Sequence, residues 1–188
     1  MPAPAANAAS RTISFESDYG FRPTPELLSH LTVDNQPLSS WQKHDGAHVV
    51  TRLAHELCQA AVYQSFGSEV AARDAAVPAA FVEGACSVVA GQADERLPLA
   101  TVLKHAPRDP FTRAYFAIDP DLAYSAAFHA MSWVATTRAA SATFFGDVVV
   151  RAAADGKPGC VERAFAAASG VDLHGLWAVF VDTLGTAT

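Results

Sequence analysis

The chain has 188 residues, 51% of them hydrophobic and only 17% charged, which suits one domain with a sizeable core and leaves too little for two. A net charge of −6, with 13 Lys and Arg scattered along the chain, argues against a nucleic-acid partner, whose phosphates demand a basic stripe. The Ala-rich stretches are broken by Arg73-Asp74, Glu83 and Arg138 before about 20 apolar residues accumulate, so no membrane partner is expected either.

Residues 1–10 are rich in Pro and Ala and lack both a positive start and an apolar run, which predicts a flexible N-terminus followed by a single domain over 11–188. Thr12-Ile13-Ser14-Phe15-Glu16 alternates as a strand does. Thr24-Pro25 then opens a short helix over Thr24–Leu31, with Thr24 as N-cap and Pro25 at N1. Val33 to Ser40 reads as loop. Asp45-Gly46 opens a longer helix in which Val49, Val50, Leu53, Leu57, Ala60, Ala61 and Tyr63 are apolar over so wide an arc that burial on most sides is expected. Gly67 closes it. A second helix runs from about Pro78 to Ala90 and stops at Gly91.

Asp119-Pro120 forms a cap and first-turn pair for a helix through Tyr124, Phe128, Met131, Trp133 and Val134. A further helix is predicted over about Ala140–Ala153, although Val148-Val149-Val150 carries strand character. Lys157-Pro158-Gly159 is a turn, and two short helices meet at Ser169-Gly170-Val171-Asp172. The fold class is therefore mainly α, with at most a small N-terminal β element. Cys58, Cys86 and Cys160 are odd in number, and their placement fits reduced thiols in a cytoplasmic protein of bacterial type.

The stretch richest in chemistry is His55-Glu56-Leu57-Cys58-Gln59. In the helical motif H-E-x-x-H two imidazoles four residues apart share one helix face and grip a Zn²⁺ whose bound water the Glu polarises. Here His55 and Glu56 keep two of those groups, while Gln59 offers a neutral amide, a poor substitute for imidazole at zinc. Downstream, Val77-Pro78-Ala79-Ala80-Phe81-Val82-Glu83-Gly84-Ala85 carries an aromatic residue just before Glu-Gly. Leu97-Pro98-Leu99 with Val102-Leu103, Ala123-Tyr124-Ser125-Ala126-Ala127-Phe128, and Val161-Glu162-Arg163-Ala164-Phe165 with Ser169-Gly170-Val171-Asp172-Leu173 and Leu176-Trp177 follow in order.

In that order the segments resemble the gluzincin metallopeptidases over roughly residues 47–184. The resemblance implies a helical metallopeptidase core, Glu83 as the third zinc ligand, and Tyr124 as the tyrosine that stabilises an oxyanion in several members. Two departures stand beside the match. Gln59 removes a ligand, and only 54 residues precede His55, where these peptidases place a sheet whose edge holds an extended peptide. Proteolysis of peptides is accordingly not expected.

If His55, Glu56, Glu83 and Tyr124 converge, one of two neighbouring carboxylates in a partly buried site is expected to shift toward neutrality and serve acid–base chemistry without a metal or other cofactor. That makes a small-molecule isomerase, cyclase or lyase the first reading, with Glu56 or Glu83 as base, His55 as proton partner and Tyr124 as acid or oxyanion donor. Gln59 and His48 are assigned to the substrate pocket; His48, about 10 Å along the axis from His55, is too far to replace a ligand. The alternatives are a weakly zinc-dependent hydrolase, with His55, Glu83 and Gln59 as ligands, and a binding protein that keeps only the fold, His55 and Glu83 surviving as a buried pair. His129 stays outside the site, and Cys58 reads as a small buried thiol rather than a nucleophile. Oligomeric state and substrate identity are not written in the sequence.

Overall fold

A computed structural model describes residues 32–33, 36–37, 49–139 and 141–185. The expected strand at Thr12–Glu16, the helix at Thr24–Leu31, the N-terminal decapeptide and His48 lie outside these residues. The described part is mainly helical. Two short antiparallel strands, β1 (Thr32–Val33) and β2 (Gln36–Pro37), pair Thr32 with Pro37 and Val33 with Gln36, where the sequence reads as loop. Among the described residues nine α-helices follow: α1 (Val49–Ser65), α2 (Glu69–Asp74), α3 (Ala79–Val89), α4 (Leu99–His105), α5 (Arg113–Ile118), α6 (Pro120–Thr137), α7 (Phe144–Asp155), α8 (Cys160–Ser169) and α9 (Leu176–Gly185). A 3₁₀ turn, Ala93–Glu95, lies between α3 and α4.

At the centre lies α3, held between α1 and α6. Ala80, Phe81, Val82, Gly84, Ala85, Cys86 and Ser87 are all buried, so the helix shows no solvent stripe and any carboxylate on it must find partners. Phe81, with none of its surface exposed, meets Phe145 and Phe165 edge to face at 6.3 and 6.1 Å and so fastens α3 to the α7–α8 pair. Gly84 sets how closely α6 approaches: a Cβ there would stand 2.7 Å from the Ala127 carbonyl oxygen and 2.7 Å from Met131 Cγ. Only glycine admits that approach.

Capping explains where α6 begins. The Asp119 carboxylate accepts from the Leu122 N–H at 3.1 Å, with Pro120 at the first helical position, as the Asp-Pro pair predicts. From α6, Ser125 Oγ accepts from Leu97 N–H at 3.0 Å and His129 Nε2 donates to the Leu97 carbonyl at 2.9 Å, so the stretch before α4 is pinned at both polar atoms of one peptide residue. His129 is thereby occupied structurally and stands outside the site.

Helix α1 is less buried than its apolar arc predicts. Leu53, His55 and Val62 are buried, but Val50 is 73% exposed and Glu56 faces outward. The reason lies in its packing: among the described residues α1 meets α3 over one face, with α2 and α7 touching it only in part. Helix α7 starts at Phe144, four residues later than predicted, and its valines resolve the strand ambiguity: Val148 and Val149 are buried while Val150 is 67% exposed, a helical rather than a two-residue period.

The thiols are not all reduced. Cys58 on α1 and Cys86 on α3 form a disulfide, with Cα atoms 5.4 Å apart, within the span such a bond requires. Cys160 is free and buried, and burial pushes its thiol above the usual range.

Candidate active site

The site lies where α1 and α3 face each other. His55 and Gln59, one helical turn apart on α1, project from the same face and meet Glu83 of α3. His55 Nε2 lies 3.0 Å from Glu83 Oε2, the Gln59 side-chain amide donates to Glu83 Oε2 at 2.9 Å, and its nitrogen lies 2.7 Å from His55 Nε2. The three atoms make a nearly equilateral triangle. Its floor is dry: the side chain of His55 is 7% exposed and that of Glu83 is 19% exposed.

Behind the imidazole, Ser87, one turn beyond Glu83 on α3, brings Oγ to 3.4 Å from His55 Nδ1. The same hydroxyl accepts from Arg96 Nη2 at 2.8 Å, and that nitrogen also donates to Gln92 Oε1 at 2.6 Å. Gln92 in turn donates to Glu95, whose carboxylate binds Thr51 Oγ1 and, at 2.9 Å, Arg52 Nε. A polar ladder thus runs from the buried imidazole, through the segment after α3, back to the start of α1. Burial draws the Arg96 guanidinium below its ordinary range, with Glu95 and Glu83 opposing. Its Nε is buried without a hydrogen-bond partner among the described residues.

Tyr124 flanks this ladder. Its ring lies 5.7 Å under the Arg96 guanidinium and packs edge to face on Phe116 at 5.4 Å, so it stacks on the ladder at Arg96, two residues from the imidazole. Tyr63, one turn beyond Gln59 on α1, is a second phenol of the site. Burial raises its pKa, and the charges of Glu83, Glu69 and Glu56, with Tyr124, raise it further.

The expected convergence of four groups is therefore only partly realised. His55, Gln59 and Glu83 touch; Tyr124 lies against Arg96, which meets His55 through Ser87; Glu56 is exposed and reaches the cluster through its field at Tyr63. Successive helix residues diverge by about 100°, which turns Glu56 off the face that His55 shares with Gln59. A partly buried pair of carboxylates does not form. Ser87, Arg96 and Tyr63 are additions. Ser87 and Tyr63 were accessible to reasoning by helical repeat, each four residues beyond a site residue, whereas Arg96 follows a turn and carried no periodic signal.

The donor set departs from what the zinc implied by the gluzincin resemblance requires. Bonds of about 2.0–2.2 Å in tetrahedral zinc hold neighbouring ligand atoms about 3.3 Å apart. Here the three atoms stand at 2.7, 2.9 and 3.0 Å, and the member from Gln59 is an N–H donor. An imidazole and one carboxylate remain as ligands, fewer than the three that catalytic zinc takes from protein. The residues close on one another by hydrogen bonds and do not fit the ion as arranged.

No protein-family model matches the chain, and no curated protein and no solved structure matches it significantly. Among the described residues, no helix is long and apolar enough to cross a membrane.

Proposed function

We propose that this chain is a gluzincin-like protein in which an amide has taken over the place of a metal-binding imidazole, and that it is a metal-independent acid–base catalyst on a small molecule. The observation that carries the reading is the closed triangle: the Gln59 amide bonds the Glu83 carboxylate and lies against His55 Nε2, so the imidazole–carboxylate pair is satisfied without an ion. Glu83 holds Oε2 in the triangle and keeps Oε1 for a substrate proton. In the isomerisation of a β,γ-unsaturated carbonyl compound, Oε1 takes a proton from the carbon between the carbonyl and the double bond, and the electron pair moves onto the carbonyl oxygen to give a dienolate. The Tyr124 phenol hydrogen-bonds the oxyanion, and the proton returns from Glu83 to the far carbon of the former double bond as the carbonyl re-forms, leaving every residue as it began. Glu56, at the exposed edge, would bind rather than react.

The Cys58–Cys86 bond supports maturation in an oxidising compartment, in place of the cytoplasm that an odd count of cysteines suggested. The test is metal content by mass spectrometry on protein purified without an affinity tag, followed by zinc titration of wild type beside Gln59→His. Wild type without zinc, and a gain of about a hundredfold or more in affinity on restoring the second imidazole, supports metal-free chemistry. Near-stoichiometric zinc in wild type overturns it in favour of a zinc-dependent hydrolase. With a substrate in hand, unchanged turnover in Glu83→Gln overturns Glu83 as the base.

A further inference from the structure

We propose that Arg96 is the anion-binding residue of the site and that the substrate is a small carboxylic acid, its carboxylate held by the Arg96 guanidinium while Glu83 works on carbon. The inference rests on the reading of Glu83 as base and deepens it by naming the charge of the substrate.

A guanidinium drawn partly out of water keeps its charge, so it calls for an anion in contact with it. The acidic groups around Arg96 do not supply that contact. Glu95 is engaged by Arg52 Nε at 2.9 Å and by Thr51 Oγ1. Glu83 is engaged by the Gln59 amide at 2.9 Å, with His55 Nε2 at 3.0 Å. Both carboxylates act on Arg96 through their field, and their ion pairs among the described residues are with Arg52 and His55.

What Arg96 does bond is neutral: Nη2 donates to Ser87 Oγ at 2.8 Å and to Gln92 Oε1 at 2.6 Å. Nε is buried with no acceptor among the described residues. Two uncharged oxygens thus fix the direction of the head, the face of Tyr124 lies 5.7 Å beneath it, and the positive charge itself stays unmatched at contact distance.

Its position assigns that charge to the substrate. Ser87 stands one turn beyond Glu83 on α3, so a guanidinium bonded to Ser87 lies about one helical pitch, roughly 5 Å, along the helix from the Glu83 position. Glu83 and Arg96 are both only partly buried, so both meet solvent. An acid spanning that distance sets its carboxylate on Arg96 and its acidic carbon at Glu83 Oε1. Without the guanidinium, the same acid would bring a second negative charge beside Glu83, which opposes binding. One guanidinium balances the single charge of a carboxylate rather than the nearly two charges of a phosphate group near neutral pH.

The probe is benzoate, with neutral benzamide of the same shape beside it, titrated at constant ionic strength into arginine-labelled, disulfide-intact, chelator-treated protein. The Arg96 Nε–H, shielded from exchange by its burial, is the reporter in side-chain ¹H–¹⁵N correlation and is assigned by its loss in Arg96→Lys. Benzoate is expected to shift it saturably and benzamide to leave it in place. Arg96→Met, followed at the tyrosine ring signals, is expected to bind benzoate at least about tenfold more weakly, as loss of a charged hydrogen-bond partner dictates. A mere brace of the ladder would lose stability in Arg96→Met without separating benzoate from benzamide. A wild-type Arg96 signal that ignores benzoate overturns the proposal whether or not any variant folds. Unchanged benzoate affinity in folded Arg96→Met overturns it too, as does inorganic phosphate binding more tightly than benzoate. The readout needs neither turnover nor metal, so zinc in untreated protein, or unchanged turnover in Glu83→Gln, would overturn the functional reading alone.

Discussion

Breaking the Cys58–Cys86 bond is the perturbation whose size follows most directly from the fold. The bond closes a loop across a sequence separation of 28. In the chain-entropy account that closure removes about 12 cal/mol/K from the unfolded ensemble, or about 3.6 kcal/mol at 25 °C. For a chain of 188 residues each kcal/mol moves the melting midpoint by about 2–4 °C, so reduction should lower Tm by about 7–14 °C. Comparing oxidised and reduced wild type is cleaner than mutating, because Cys86 is fully buried and replacing it adds a packing cost. The assay is a thermal melt by circular dichroism with and without a phosphine reductant, beside a thiol count in denaturant. One free thiol, Cys160, is expected before reduction and three after. Three thiols in untreated protein, or midpoints that agree within about 1 °C, would refute the reasoning.

Two further perturbations bear on the same helix pair. Gly84→Ala gains up to about 1 kcal/mol of helix propensity but drives a Cβ to 2.7 Å from the Ala127 carbonyl oxygen. Backbone cannot swing aside as a side chain can, so a net loss of about 2–3 kcal/mol is expected in urea unfolding, and a variant as stable as wild type would show that α6 does not press on α3. Tyr63→Phe addresses alkaline stability. The folded pKa of Tyr63 lies above its ordinary 10.0 because of burial and then Glu83, Glu69, Glu56 and Tyr124, so the unfolded chain releases this proton first. Stability from this source is whole below pH 10 and declines as pH rises from there through the folded value. Tyr63→Phe should flatten that decline, and a stability profile above pH 10 that matches wild type would contradict it.

How much of this was legible in the sequence follows the strength of local signals. Helices α3 and α6 were marked at their ends by Pro78 and Gly91 and by Asp119-Pro120; Asp119 caps and Pro120 follows as the residue types dictate, while Pro78 stands one position before the first helical residue and makes no side-chain cap bond. Helices α2 and α5 were not anticipated. Each has six residues, less than two turns, too few for a period to register, although the caps Ser68 and Thr112, which accept from Ala71 and Tyr115 N–H, were visible as residue types. The disulfide was hidden because three cysteines allow three pairings and only the packing of α1 on α3 selects one. Exposure of Glu56 and Val50 was misjudged because the apolar arc of α1 is wider than the one face its neighbours cover.

Gln59 shows why a motif with one substitution is a physical statement rather than a damaged one. Replacing imidazole by an amide changes two things together: it withdraws a nitrogen lone pair from the centre of the site and puts hydrogen-bond donors in its place. With a second histidine, three acceptors would face one another at about 3 Å, an arrangement that demands a cation between them. With glutamine, the donors on its amide supply positive edges to Glu83 and to His55 Nε2 at 2.9 and 2.7 Å, so the demand disappears while the helix geometry is kept. The rest of the constellation surrounds that exchange: Ser87 stands behind the imidazole and Arg96 behind Ser87, and the disulfide joins α1 and α3 one residue before Gln59 and one residue before Ser87. The covalent link therefore sits next in sequence to two residues that touch His55, which ties the spacing of the site's two helices to a bond that no reading of the active residues alone would have included.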